Sequence, residues 1–190
     1  MSRAMTISTV GPRLPRVFAR FAHDRGGVSA VEFAMLLPLM VTLYLGSVEI
    51  SQGVGIDRKV TLVARTVADL ASQVSGINNA DMTNMLNASS AVIAPYDASK
   101  LKVVVSAVSV DNAGVAKVAW SDTLNGTKRS VGSTVTLPAA LNIANTQLIF
   151  SEVTYDYTPT IGYVVTGTLT LSDKIYMRPR LSDTVTRNNS

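Results

Sequence analysis

Glu32 is the residue whose chemistry stands out from its surroundings. It lies near the start of a long apolar run, RGGVSAVEFAMLLPLMVTLYLGSVEI, over residues 25–50. A carboxylate inside hydrocarbon costs on the order of a few kcal/mol even on lenient scales. Two chemistries answer that cost. Near a helix end the carboxylate can reach water as an interfacial charge, or it can take up a cation as a partner. Gly27 stands five residues before it and Phe33 directly after it. Elsewhere the reactive residue types are sparse. The chain has no cysteine and one histidine, His23. Beyond residue 27, Cys–His, Ser–His and His–metal chemistry therefore have no residues to work with. The remaining acids are scattered singly, so carboxylate pairs could arise only through folding. The expectation is a non-enzymatic protein with no catalytic residue, cofactor or metal.

The element that must position Glu32 is a helix. From Phe33 to Val48 there are 16 residues without a charge. Counted from Val28 to Ile50 the run is 23 residues, with acids only at Glu32 and Glu49. As a helix it spans roughly 34 Å, against a hydrocarbon core of about 30 Å. That predicts a transmembrane helix over 28–50. Pro38 falls mid-span, where membrane helices tolerate proline and a kink near residues 34–38 is expected.

The spacing of Gly27, Glu32 and Phe33 ahead of an apolar run resembles the prepilin-peptidase site of type IV pilins and pseudopilins. The form, glycine, four residues, glutamate, aromatic, is that of Tad pilus proteins. The wider stretch GGVSAVEFAMLLPLM resembles the TadE/TadG-like pilus-assembly family, and the resemblance covers roughly residues 25–75. It implies cleavage between Gly27 and Val28 by a prepilin peptidase. Glu32 would become the fifth mature residue, able to meet a neighbouring subunit's new amino terminus, with Phe33 beside it as a subunit contact. It also implies partnership with other pilin-like subunits and Tad assembly proteins. A Sec-type signal peptide is the rival, since Ser51-Gln52-Gly53 places small residues where signal peptidase inspects them. Against it, the apolar run exceeds the usual 7 to 15 residues of such signals, a length given only roughly, and it carries Glu32 at its start.

Charge placement gives orientation. The net +4 belongs to residues 1–27, which hold Arg3, Arg13, Arg16, Arg20 and Arg25 against Asp24. The other basic and acidic residues balance at 12 each, out of totals of 17 and 13. The folded part thus has no basic excess, and nucleic-acid binding is not expected. Basic residues ahead of a first span hold that end in the cytoplasm. The expectation is a single-pass protein of the bacterial inner membrane, N-terminus cytoplasmic and C-terminal head periplasmic or extracellular. Residues 1–27 read as a cytoplasmic leader, in which Arg13 to Phe21 is amphipathic enough to lie on the inner membrane face.

Beyond the run, Gly53 and Gly55 predict a weak point or hinge. Then Ile56, Val60, Val63, Val67, Leu70 and Val74 repeat at steps of four and three, an apolar heptad seam. That makes 51–75 an amphipathic stalk helix. The seam would pack on the protein's own sheet, with sister helices as the alternative. Asn78 or Asn79 caps a second helix with Met82, Met85, Leu86 and Ser89 on one face, ending before Pro95.

From Leu101 the pattern is β. Strands are expected at 101–110, 115–121, 147–157 and 169–178, the first two joined by the turn Asp111-Asn112-Ala113-Gly114. Ala116, Val118 and Trp120 are expected on one face, 131–137 as an extended edge, and a short helix from Pro138 to Asn145. Lys128-Arg129 reads as a solvated pair and 179–190 as a frayed polar tail.

The sum is an α+β, pilin-like fold: transmembrane and stalk helix, short helix, then an antiparallel sheet of about four strands, with the head at 76–190. The function expected is that of a minor pilin or pseudopilin of Tad (Flp) pilus assembly, acting by helix packing. The alternative is a membrane-anchored adhesin-like binding module, which exposed aromatics at Trp120, Tyr155 and Tyr157 would favour.

Overall fold

A computed structural model of the chain describes residues 25–159, 162 and 167–188. The leader, with His23 and the amphipathic stretch 13–21, lies outside the described residues. The chain divides into two compact units, Met1–Leu45 and Gly46–Ser190.

The described part of the first unit belongs to one helix, α1, which covers Arg25–Ser72. Its most apolar 18 residues have a mean hydropathy of 1.9, long and apolar enough to cross a membrane. Apart from Ser29, Glu32 and Thr42, the side chains from Val28 to Tyr44 are apolar around the circumference, and nearly all are exposed. A helix apolar on every side asks for a nonpolar environment outside its own chain. Pro38 sits inside α1 and has no N–H to give its preceding turn. Its own carbonyl accepts from the Thr42 hydroxyl at 2.8 Å.

In the second unit α1 runs on through Gly53 and Gly55 to Ser72 without the expected hinge. Close packing accounts for Gly55. A Cβ there would come within 2.9 Å of the Tyr96 hydroxyl. The seam packs on the protein's own sheet: Ile56, Val60, Val63 and Val67 join one buried cluster with Val103, Val105, Ile149, Val153 and Tyr155. Each such aliphatic burial is worth roughly 1.5–3 kcal/mol. Ala64, Ala68 and Ala71 are also fully buried in this cluster.

After α1 come a two-residue strand β1 (Gly76–Ile77) and helix α2 (Asn79–Ile93). Asn78 opens α2 with a capping box: its side chain accepts from the Asp81 N–H at 2.8 Å, and Asp81 accepts from the Asn78 N–H at 3.4 Å. Met82, Leu86, Ser89 and Ile93 form its buried stripe. At its far end Lys59 reaches across from α1 and donates to the carbonyls of Val92 and Ala94.

The sheet comprises β2 (Leu101–Val110), β3 (Ala116–Leu124), β4 (Gln147–Tyr157) and β5 (Leu169–Met177), ordered β3-β2-β4-β5 and antiparallel throughout. The Asp111–Gly114 turn closes the β2–β3 hairpin. Gly114 adopts φ +76°, and the Asp111 carboxylate accepts from Ala113 and Val115. The segment around residues 132–135 lies along β3 as expected of an extended edge, with hydrogen bonds to Val118 and Ala116. The helix after Pro138 is a single 3-10 turn, Ala139–Leu141, shorter than expected.

Two further expectations are corrected. Pairing shifts between Ala107↔Trp120 and Val108↔Val118, so β3 carries a bulge at Ala119. The extra residue reverses the alternation. Trp120 therefore joins the α1-side cluster, whereas Ala116 joins Phe150, Val108 and Val110 on the opposite face. Over its described residues, 179–188, the tail is also structured rather than frayed. Val185 is buried, its carbonyl accepts from the Trp120 indole at 2.8 Å, and its N–H donates to Gln147 at 2.6 Å. A final strand, β6 (Thr186–Arg187), pairs in parallel with β1, and Arg187 forms an ion pair with Asp122 at 2.7 Å. Arg180 meets Asp69 of α1 at 2.6 Å.

Candidate functional site

Gly27, Val28, Glu32 and Phe33 all fall in the first turns of α1. Val28 and Glu32 are four residues apart, so they share a face, separated along the axis by roughly 6 Å. All four are exposed, Phe33 at 58%. A Cβ built on Gly27 would meet nothing within 4 Å. Among the described residues no side chain hydrogen-bonds or pairs with Glu32. The arrangement is a carboxylate on an uncovered apolar helix. It can accept a cation from another molecule.

The second acid of the run behaves differently. Glu49 belongs to the second unit and is buried. The Tyr157 hydroxyl lies 3.4 Å from the Glu49 carbonyl and 3.4 Å from Oε1 of Gln52. Burial, and then the Glu49 charge, push the Tyr157 phenol up. Sequence reasoning treated Glu49 only as the end of the apolar run. The signal was present, however: Glu49 stands one heptad before Ile56 and two before Val63, in phase with the seam.

The sheet face away from α1 carries a second polar cluster. Arg129 grips Glu152 in bidentate fashion at 2.6 and 2.9 Å. Its guanidinium lies 5.3 Å from the Phe150 ring centroid, and Phe150 stacks on Tyr176 at 4.4 Å. The hydrogen bond to Glu152 raises the guanidinium's already high pKa. Arg129 is thus a paired, half-buried group rather than a solvated one. Lys174 approaches the same carboxylate at 3.6 Å. Among the described residues, no group of three His, Cys, Asp or Glu could hold a metal ion.

Trp120, Tyr155 and Tyr157 all lie buried in the α1-side cluster. The exposed aromatic face that would favour an adhesin-like module is therefore not formed by these three residues.

A family model described as TadE-like protein matches residues 27–69. The match begins at Gly27, takes in Glu32, Phe33, Glu49 and the seam as far as Val67, and ends at Asp69, the partner of Arg180. The sheet lies outside it. No curated protein and no solved structure matches the chain.

Proposed function

We propose that this TadE-like chain serves as a minor pilin or pseudopilin-like component of Tad (Flp) pilus assembly. It acts physically, by packing the first part of α1 among other subunits, and not as a catalyst. The observation that carries the reading is Glu32: a carboxylate exposed on an otherwise apolar helix, without a partner among the described residues. Such a group is costly in lipid alone and useful beside a cation. In this reading residues 28–50 span the inner membrane once, the basic leader stays in the cytoplasm, and the head stands outside.

Prepilin peptidase cuts between Gly27 and Val28, and the amine released on Val28 is the cation. Within one chain that amine lies roughly 6 Å from the level of Glu32. An axial offset between neighbours brings one subunit's amine level with the next subunit's carboxylate. The pair gains strongly in low dielectric, but both ions must shed water to form it. It therefore selects correct register more than it adds stability.

Amino-terminal sequencing of membrane-derived protein should begin at Val28. In cells lacking the native protein, Glu32→Gln should be cleaved and folded normally yet reduce pilus assembly at least several-fold. Gly27→Leu should block cleavage and leave a longer chain. Normal piliation with Glu32→Gln would reduce the carboxylate to an interfacial charge, and a mature start at Val54 would return the signal-peptide reading.

A further inference from the structure

The second unit carries an apolar groove of about 270 Å³. Ile50, Gly53 and Val54 of α1 form one wall, with the buried Glu49 at its back, and Tyr157, Leu169 and Leu171 form the other. Two features open it. Gly53 contributes no side chain; a Cβ there would touch the Tyr157 ring at 3.7 Å, an ordinary contact. In addition, β5 is the edge strand, so its inner face, at Leu171, Ile175 and Met177, is only partly covered. Ile50, Val54 and Leu169 stay 59%, 47% and 45% exposed around the same opening.

What fills it follows from where the groove starts. Ile50 is the last residue of the apolar run 28–50, and Val54 continues the exposed apolar surface one turn further along the same helix. The groove thus begins where the membrane-spanning run ends, level with the boundary between acyl chains and headgroups. Its volume equals roughly nine water molecules' share of liquid. No cation lines it, and the rim carries Asp57, exposed and without a partner among the described residues. A carboxylate there repels an anionic headgroup.

We infer that this groove takes an acyl chain from a zwitterionic phospholipid of the leaflet next to the head. The inference rests on reading 28–50 as a membrane span.

The test is photolabelling of the full chain in nanodiscs of phosphatidylcholine that carry a diazirine in the upper acyl chain, with sites mapped by mass spectrometry. Label should appear at Val54, Leu169 and Leu171 as well as within 28–50. Gly53→Leu, which projects a side chain into the groove, should cut label at Leu169 and Leu171 at least tenfold and leave residues 28–48 unchanged. Leu171→Gln serves as a second variant should Gly53→Leu disturb folding, which Trp120 fluorescence reports. Replacing the lipid by phosphatidylglycerol should lower groove label at least threefold, and Asp57→Asn should restore it. Label within 28–50 but none at Leu169 and Leu171 would overturn the groove assignment alone. So would cross-links joining two copies at these residues. Equal label from both lipids would overturn the headgroup assignment. An unlabelled 28–50 would instead defeat the membrane span itself.

Discussion

Truncating Ile56 to alanine separates the two partners open to the heptad seam. Ile56 is 2% exposed and sits in the cluster that joins α1 to the sheet. The substitution removes three carbons, worth about 2.4 kcal/mol in transfer at about 0.8 kcal/mol each. The cavity left behind adds to that, and measured costs for Ile→Ala fall at about 2–5 kcal/mol. For a unit of this size, each kcal/mol shifts the midpoint by roughly 2–4 °C, so a loss near 3 kcal/mol lowers Tm by roughly 6–12 °C. The molecule contains its own probe. Trp120 is the single tryptophan, buried against the same cluster and hydrogen-bonded to Val185. Its fluorescence in detergent-solubilised full-length protein follows unfolding of the head during heating or urea titration. Leu62, 51% exposed on the same helix, is the control, and Leu62→Ala should stay within about 0.5 kcal/mol of the parent. If Ile56→Ala left the Trp120 midpoint in place and weakened association between copies instead, the seam would belong to sister helices.

Arg187→Ala should cost about 1–3 kcal/mol, because Asp122 and the Ile77 carbonyl lose a half-buried charged donor; a urea midpoint by Trp120 fluorescence checks this. A midpoint equal to the parent's would mean the tail does not brace the head. Acidification should destabilise the head. Hydrogen bonds from Lys102 and Thr170 hold the Asp156 carboxyl below its usual range, and the Val115 N–H does the same for Asp111. A lowered folded pKa gives stability that is present above the unfolded value, about 3.9, and lost as pH falls through the folded value. Thermal midpoints should hold from pH 7 to 5 and fall below about 4, with Asp156→Asn flattening the drop; a rise on acidification would contradict the assignment.

Periodicity made much of this fold legible. The four-and-three spacing from Ile56 to Val67 marked the helix face that the core buries, and the Val-rich alternation marked the strands. What stayed hidden depended on contacts distant in sequence. Nothing local to Ala119 announces a bulge, yet that one residue carries Trp120 to the other face. The polar composition of 179–188 suggested solvent, but Arg180 and Arg187 find carboxylates on α1 and β3. Gly53 and Gly55 read as a hinge because glycine weakens helices, whereas Tyr96 uses the space at Gly55. At the candidate site the position was legible from Gly27, Glu32 and Phe33, and the structure adds that Glu32 is uncovered. Glu49 was passed over because an acid in a seam breaks the apolar rule that reveals the seam.

The parallel pairing of β6 with β1 has a consequence in time. Arg187 meets Ile77 across 110 residues of sequence, and Val185 fills a place in the core beneath Trp120. A ribosome finishes residues 184–188 long after it has made α1, so the core is closed only by residues made well after the helix they cover. Until the strands and then Val185 are in place, Ile56, Val60, Val63 and Val67 form an incompletely covered apolar stripe at heptad spacing, the pattern that draws helices together. Nascent copies growing side by side would meet through that stripe first. The late arrival of Val185 and Arg187 then decides between two outcomes for the same residues, a finished head or a tangle of neighbouring chains.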